Sequence, residues 1–437
     1  MTNQVVISIM YCCLIIISVL TIKQSKRIFN TYINHYTLFN LWWLFSIALT
    51  FDSPFYPAIS IKSYLIFFVG MIAFNATVIF QKVVNLELKS EEKEYYFNIK
   101  HRRIVEVFVI ICLLPMIISN IKRLSQGDAY WLLRSDYIDR DTSYLREFIM
   151  AYFCAPLSSL LYVTAFYKYY SNIGKYSYRM NMAISILIVA LNCFASGGRS
   201  VVINFVMLYI VMGFSYLVPY YKRILNQHAK FNPTLLIIPG FIIVFMSVSR
   251  NLLTEDNNLF KLIQFSFGLY GGLFDYHMQD YYTSPLANTT YGLSTFEGLY
   301  LLINYPIKIF FGTNIFNDYS IVDDTIQQFV RLPASEWPYE VNAFVSMYYR
   351  FLRDWGYFGV IVGPILLSCL FNYAFRIAAR KQVHLLFYFI LLMNLRSTTI
   401  DSPYSSVSFM VLIIWYNIII KCFANVKTVT FHNNTSV

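Results

Sequence analysis

Charge is what this sequence has least of. Only 13% of its 437 residues are Asp, Glu, Lys or Arg, against 57% hydrophobic, whereas soluble globular chains run nearer a quarter charged. A water-soluble enzyme of ordinary type is thereby excluded. Cysteine is sparse and scattered: Cys12, Cys13, Cys112, Cys154, Cys193, Cys369 and Cys422, with no CxxC pair. Neither a zinc site nor a disulfide framework follows from that spacing, and the thiols read as small core hydrophobes. Serine-hydrolase motifs, P-loops, dinucleotide fingerprints and HExxH are missing. So are the zinc fingers, RNP motifs and basic helices of nucleic-acid binders. No cofactor and no nucleic-acid partner is expected.

What is present is apolar sequence in blocks of 16–20 residues that carry almost no charge. Such a block is long enough to cross the ~30 Å hydrocarbon core as a helix. The fold class expected is an all-α polytopic membrane protein. The first block, Val5–Ile22, follows an uncharged Met-Thr-Asn-Gln and lacks a basic n-region, so it reads as a retained span rather than a signal peptide. Ten more run at 36–51, 62–80, 104–120, 148–167, 180–196, 201–220, 233–249, 356–375, 384–399 and 405–420. That makes eleven spans. The stretches Leu259–Phe274 and Phe296–Gly312 read as short interfacial or re-entrant helices, and thirteen spans result if both cross. Three regions follow: 1–249 with eight spans and an outer loop at 121–147, a large extracytoplasmic loop at 250–355, and 356–437 with the last spans and a tail.

Sidedness follows from Lys and Arg in the loops. One set of loops holds 20 Lys+Arg against 5 acids, and the other holds 14 against 18, which together give the net +11. The +15 side is assigned to the cytoplasm. That places the N-terminus outside, the C-terminus inside, and the 121–147 and 250–355 segments outside.

The outer face is where residue choice departs from topology. Its 14 basic residues are 10 Arg and 4 Lys, whereas the inner 20 are 13 Lys and 7 Arg. Topology has no reason to prefer Arg, but two-pronged recognition of phosphate or carboxylate does. Arg134, Arg199, Arg250, Arg350, Arg353 and Arg396 are the candidate anion ligands. In Ser196-Gly-Gly-Arg-Ser200, Gly197 and Gly198 allow a tight turn whose N–H groups, with Arg199, would cradle an anion. A plain hairpin whose Arg reaches headgroup phosphate is the other reading.

The 250–355 segment is far too long for a passive connection. It holds eleven tyrosines with Trp337 and Trp355, interleaved with carboxylates. Aromatic faces beside polar rims suit carbohydrate, although an interfacial aromatic belt explains part of the pattern. His277 is the one outward histidine, and its ordinary titration range suits a base. Asp139-Arg-Asp141 has DxD spacing, but a lone DxD is common and no metal is assigned.

At these residues the chain resembles the bacterial oligosaccharide repeat-unit polymerases, the Wzy-type O-antigen and capsule polymerase family. Ser196-Gly-Gly-Arg-Ser200 is similar to the family's Gly-x-Arg-Ser turn. Tyr270-Gly-Gly-Leu-Phe-Asp275 and Tyr291-Gly-Leu-Ser-Thr-Phe296 resemble tracts of its large outer loop. Asn342-Ala-Phe through Arg353-Asp354-Trp-Gly-Tyr-Phe-Gly359 resembles the block before a late span, with Trp355 where Phe is usual. The resemblance implies an integral-membrane glycosyltransferase that moves a glycan from undecaprenyl pyrophosphate onto a new lipid-linked repeat unit at the outer leaflet. Its partners would be those lipid-linked oligosaccharides and membrane lipid, with a chain-length regulator and a flippase of the same pathway. Arginines would stabilise the departing diphosphate, and Asp275, His277 or Asp354 would deprotonate the acceptor hydroxyl. Tyr270 and Asn342 are placed among the glycan-binding residues. An O-antigen ligase shares most of these features. A lipid-linked oligosaccharide flippase or other transporter fits less well, because mid-span charge is nearly absent and one outer loop dominates.

Overall fold

The computed structural model describes residues 2–51, 59–83, 91–97, 99–127, 144–171, 177–198, 200–215, 233–242, 259–280, 282–287, 289–313, 330–332, 345–380 and 383–430. Within them the chain is built from helices α1 (Thr2–Phe29), α2 (His35–Ala48), α3 (Ile61–Ala76) and α4 (Ile99–Ser125), followed by α5 (Tyr144–Ile149) and, across a π-helical turn at Met150–Cys154, α6 (Ala155–Ser171). Then come α7 (Ser177–Ser196), α8 (Ser200–Ser215), α9 (Leu259–Gln279), α10 (Glu297–Phe311), α11 (Ser346–Arg380), α12 (Val383–Asn394) and α13 (Val407–Phe423).

Six stretches are long and apolar enough to cross a membrane: Gln4–Phe29, Ile61–Phe80, His101–Ser125, Leu145–Tyr169, Arg179–Ser196 and Ser346–Ala379. α8 and α13 contribute shorter apolar helices, Ser200–Gly213 and Val407–Ile418. α2 and α12 have 14 and 12 residues. At 1.5 Å per residue they reach about 21 and 18 Å, short of a ~30 Å core. The chain is therefore a helical membrane protein with six candidate spans among the described residues.

Helix starts follow local chemistry. Asn34 caps α2 by accepting from the Thr37 N–H at 3.1 Å, and Ser60 caps α3 by accepting from the Ser63 N–H. Short polar side chains at N-caps satisfy donors the first turn leaves open. The helices pack as two groups. α1, α2, α3 and α11 form one, with α9 lying against α2, α3 and α11; α4, α6, α7, α8 and α13 form the other, with α10 against α13. α12 joins them by touching α11, α6 and α8.

The first group is held by a buried hydrogen-bond network rather than by apolar contact alone. Asn40 and Asn75 exchange amide hydrogen bonds at 2.7 and 2.8 Å, and Ser18 donates to Asn40 at 2.6 Å. Asn372 donates to the Tyr36 hydroxyl at 2.8 Å, and His35 bridges Asn372 and Tyr388. Each such bond joins two helices, and in a setting without water an unmade partner is expensive.

Two features depart from the sequence expectation. A strand β1 (Glu91–Phe97) pairs antiparallel with β2 (Ala424–Thr430), Glu94 opposite Lys427, so the fold is not purely helical. The two strands come from loop regions that the charge count had put on one side, and their pairing brings those regions together. The second departure is at the 355/356 boundary. α11 begins at Ser346, and its first nine residues are all buried. It bends at Trp355 (φ −136°, ψ 16°) and Gly356 (φ 57°, ψ −150°) before the long apolar part. The end of the large loop is thus an inward-packed helix, with Tyr348 lying against Trp43 and Phe67 at 4.9 and 5.9 Å between ring centroids.

Candidate functional site

Asp275, His277 and Asp354 were equal candidates for a base, and the structure separates them. Asp275, on α9, is fully buried at the start of α3. It accepts hydrogen bonds from the hydroxyls of Ser60 and Ser63 and from Gln279 at 2.7 Å. A helix N-terminus favours a carboxylate, and three donors leave little of this one for a ligand. Asp354, also fully buried, closes the turn before α10. It accepts from the Thr290 hydroxyl at 2.5 Å, the Ser294 N–H at 3.0 Å and the Thr295 N–H at 2.6 Å. The tract at 291–296 and the block ending at 359 therefore dock on one another through this side chain. Asp275 ties α9 to the start of α3 through side chains, whereas Asp354 fastens backbone.

His277 differs. Its Nδ1 lies 2.8 Å from the Thr283 hydroxyl, and Nε2 is buried with no hydrogen-bond partner among the described residues. The ring meets Tyr276 and Tyr349 edge-on at 5.3 and 5.6 Å. Tyr349 donates to the Thr283 carbonyl at 2.7 Å, which ties the following turn to α11. Burial lowers the His277 pKa from 6.5 to about 4, with the nearby Asp280 acting in the opposite direction. The ring is neutral at physiological pH. The ring itself is fully buried, and Tyr282 in the turn that follows α9 is 83% exposed.

The arginines divide as well. Arg350 is 2% exposed and donates from Nε and Nη2 to the two oxygens of Asp401 at 2.6 and 2.7 Å. Its Nη1 donates to Glu297 and to the Ser294 carbonyl. Its fork is engaged inside the protein, not offered to a diphosphate. Arg396 is buried and donates to Asn204 at 3.0 Å, joining the turn after α12 to α8. Arg353, 5% exposed, donates from Nη1 to the Ser284 carbonyl at 3.0 Å, while its Nε has no partner among the described residues. Arg134, Arg199, Arg250, Asn342, Asp139 and Asp141 lie outside the described residues.

The glycine turn is partly described. Gly197 ends α7 with φ 60°, the left-handed geometry that glycine adopts without strain. The Gly198 N–H already donates to the Ser196 hydroxyl at 3.2 Å, so it is not a free member of an anion cradle. The last carbonyls of α7 are met from other helices. Asn120 of α4 donates to those of Phe194 and Ala195 at 2.9 and 3.1 Å, and Arg146 of α5 donates to that of Ala195 at 3.2 Å. Tyr270 is buried, its ring edge-on to Trp43 and tilted against Phe67 at 5.6 and 5.5 Å, and so presents no exposed face to a sugar.

Thr283, Asp280 and Asp401 were not singled out by sequence reasoning, and two of them carried a usable signal. Asp280 accepts from the N–H and the hydroxyl of Thr283 at 2.9 and 2.6 Å. Asp-x-x-Thr directly after a helix is a local turn signature. Asp401 had none, because its partner is 51 residues away. No family model, curated protein or solved structure matches the chain.

Proposed function

We propose that the protein is an integral-membrane glycosyltransferase that polymerises lipid-linked oligosaccharide repeat units, with His277 as the base. The reading rests on one observation: a buried histidine at the end of α9 with Nδ1 bonded to Thr283 and Nε2 without a partner among the described residues, beside aromatic and acidic side chains. In this mechanism His277 takes the proton of the acceptor hydroxyl as its oxygen attacks the anomeric carbon. The bond to the diphosphate breaks, and the electron pair leaves with the phosphate oxygen. Arg353, with its unmatched Nε, and Arg199, Arg250 and Arg134 are the residues we assign to that developing charge. Asp275, Asp354 and Arg350 take scaffold roles. We assign the chemistry to the outer leaflet of a bacterial inner membrane, on the charge partition of the loops.

The test is chain extension by purified protein given undecaprenyl-pyrophosphate-linked repeat units. His277→Gln should slow extension by about a hundredfold or more. The pH profile adds a second check. A base must be deprotonated to act, so kcat/KM should stay level down to about pH 5 and fall through about 4, where an ordinary histidine would fall through 6.5. The charged or titratable neighbours that could move this limb are Asp280, Tyr276 and Tyr349, with Arg353 beyond Ser284. Full extension by His277→Gln would reject the assignment. Transfer onto a lipid acceptor without extension would identify a ligase.

A further inference from the structure

A threonine hydroxyl has one proton. The Thr283 Oγ1 lies 2.6 Å from an Asp280 oxygen and 2.8 Å from His277 Nδ1. A carboxylate accepts only, so the hydroxyl proton points to Asp280, and the same oxygen must accept from His277. That places the ring proton on Nδ1 and the lone pair on Nε2. The backbone reinforces the direction, because the Thr283 N–H also donates to the same Asp280 oxygen at 2.9 Å and so pins the side chain that orients the hydroxyl. From the far side the Tyr349 hydroxyl holds the Thr283 carbonyl at 2.7 Å, and Arg353 holds that of Ser284 at 3.0 Å. The turn is thus tied to the buried start of α11 while it reads the state of the ring.

We propose that Asp280 and Thr283 are positioning residues that hold His277 in the Nδ1–H tautomer and aim the Nε2 lone pair at a substrate hydroxyl. The tautomer follows from the hydrogen-bond geometry alone, whereas its use in proton transfer rests on the glycosyltransferase reading above. When Nε2 takes the hydroxyl proton the ring becomes cationic. The Nδ1–H bond to Thr283, backed by the Asp280 charge, stabilises that cation without moving a second proton. The order is carboxylate, hydroxyl, imidazole, with the hydroxyl as a spacer that passes orientation and field rather than charge.

The experiment has a spectroscopic and a kinetic arm. The protein is labelled with ¹⁵N-histidine and reconstituted in lipid vesicles, and the His277 nitrogens are identified by their loss in His277→Gln. The wild-type ring should show a protonated Nδ1 and an unprotonated Nε2 from pH 5 to 8. Thr283→Ser keeps the hydroxyl and should keep that pattern. Thr283→Val keeps the backbone bond to Asp280 but should give a mixture of tautomers. In chain extension, Thr283→Val should lower kcat on the order of ten- to a hundredfold with KM little changed, and Thr283→Ser should restore it. Protonation at Nε2 in the wild type, or an unchanged tautomer in Thr283→Val, overturns the proposal. If the tautomer behaves as described and lipid-linked units are not extended, the relay stands and the polymerase reading falls.

Discussion

Arg350 shows how residue identity and role separate. An outward arginine just before a membrane span reads as an anion ligand, yet this one sits between Glu297 and Asp401 with side-chain exposures of 2%, 3% and 28%. One cation facing two carboxylates is a cluster of net negative charge, so removing the cation should hurt most. Arg350→Ala takes the cation away from both acids, and breaking a buried pair in that way costs about 3–5 kcal/mol. Glu297→Gln keeps an acceptor for the guanidinium and leaves the two-pronged bond to Asp401, so its cost should be nearer 1 kcal/mol. Thermal unfolding in detergent, followed by size-exclusion fluorescence, checks the order. Equal melting points for the two variants would remove Arg350 from its scaffold role.

Among the elements, α11 carries the most consequence for the site. Asp354 and Arg353 stand immediately before its bend, and Asp354 grips the turn that leads into α10. The bend depends on Gly356, at φ 57° and ψ −150°, a region that side chains disfavour. Open space surrounds the position where a Cβ would stand, so a substitution is penalised by the backbone and not by a clash. Gly356→Ala should lower stability by about 1–3 kcal/mol and slow chain extension by displacing Asp354. Gly240→Ala, which also meets open space and has no left-handed φ, serves as the neutral control. A melting point for Gly356→Ala equal to that control would mean the bend is set by packing instead. The bend itself was poorly legible: Trp-Gly marks a possible break, but nothing local says that the residues before it are a buried helix.

For the whole molecule the property to test is sidedness. The Lys+Arg partition puts the turn after α9 outside and the end of α1 inside. In a cysteine-free background, Cys introduced at the exposed Thr289 should react with an impermeant maleimide on intact cells, and Cys at the exposed Lys26 should react only after lysis. Ser294, in the same outer loop, is fully buried and should stay silent on either side. Labelling of Lys26 but not of Thr289 on intact cells would invert the topology and with it the outer-leaflet site.

Composition and the apolar blocks were enough to determine a helical membrane protein, because spanning a hydrocarbon layer constrains every residue of a segment at once and is therefore visible locally. The stretches Leu259–Phe274 and Phe296–Gly312, read as short helices, are helical over Leu259–Gln279 and Glu297–Phe311. Which of three equal candidates keeps a free lone pair was not readable. Asp275 is occupied by serines more than 200 positions away, and Asp354 by a turn about 60 away. A carboxylate's availability depends on how many donors the fold brings within 3 Å of it, and one-dimensional spacing does not encode that number. The pairing of β1 with β2, across more than 300 residues, belongs with these. Only the tertiary structure decided them, since each is a contact between segments whose own sequences are indifferent to it.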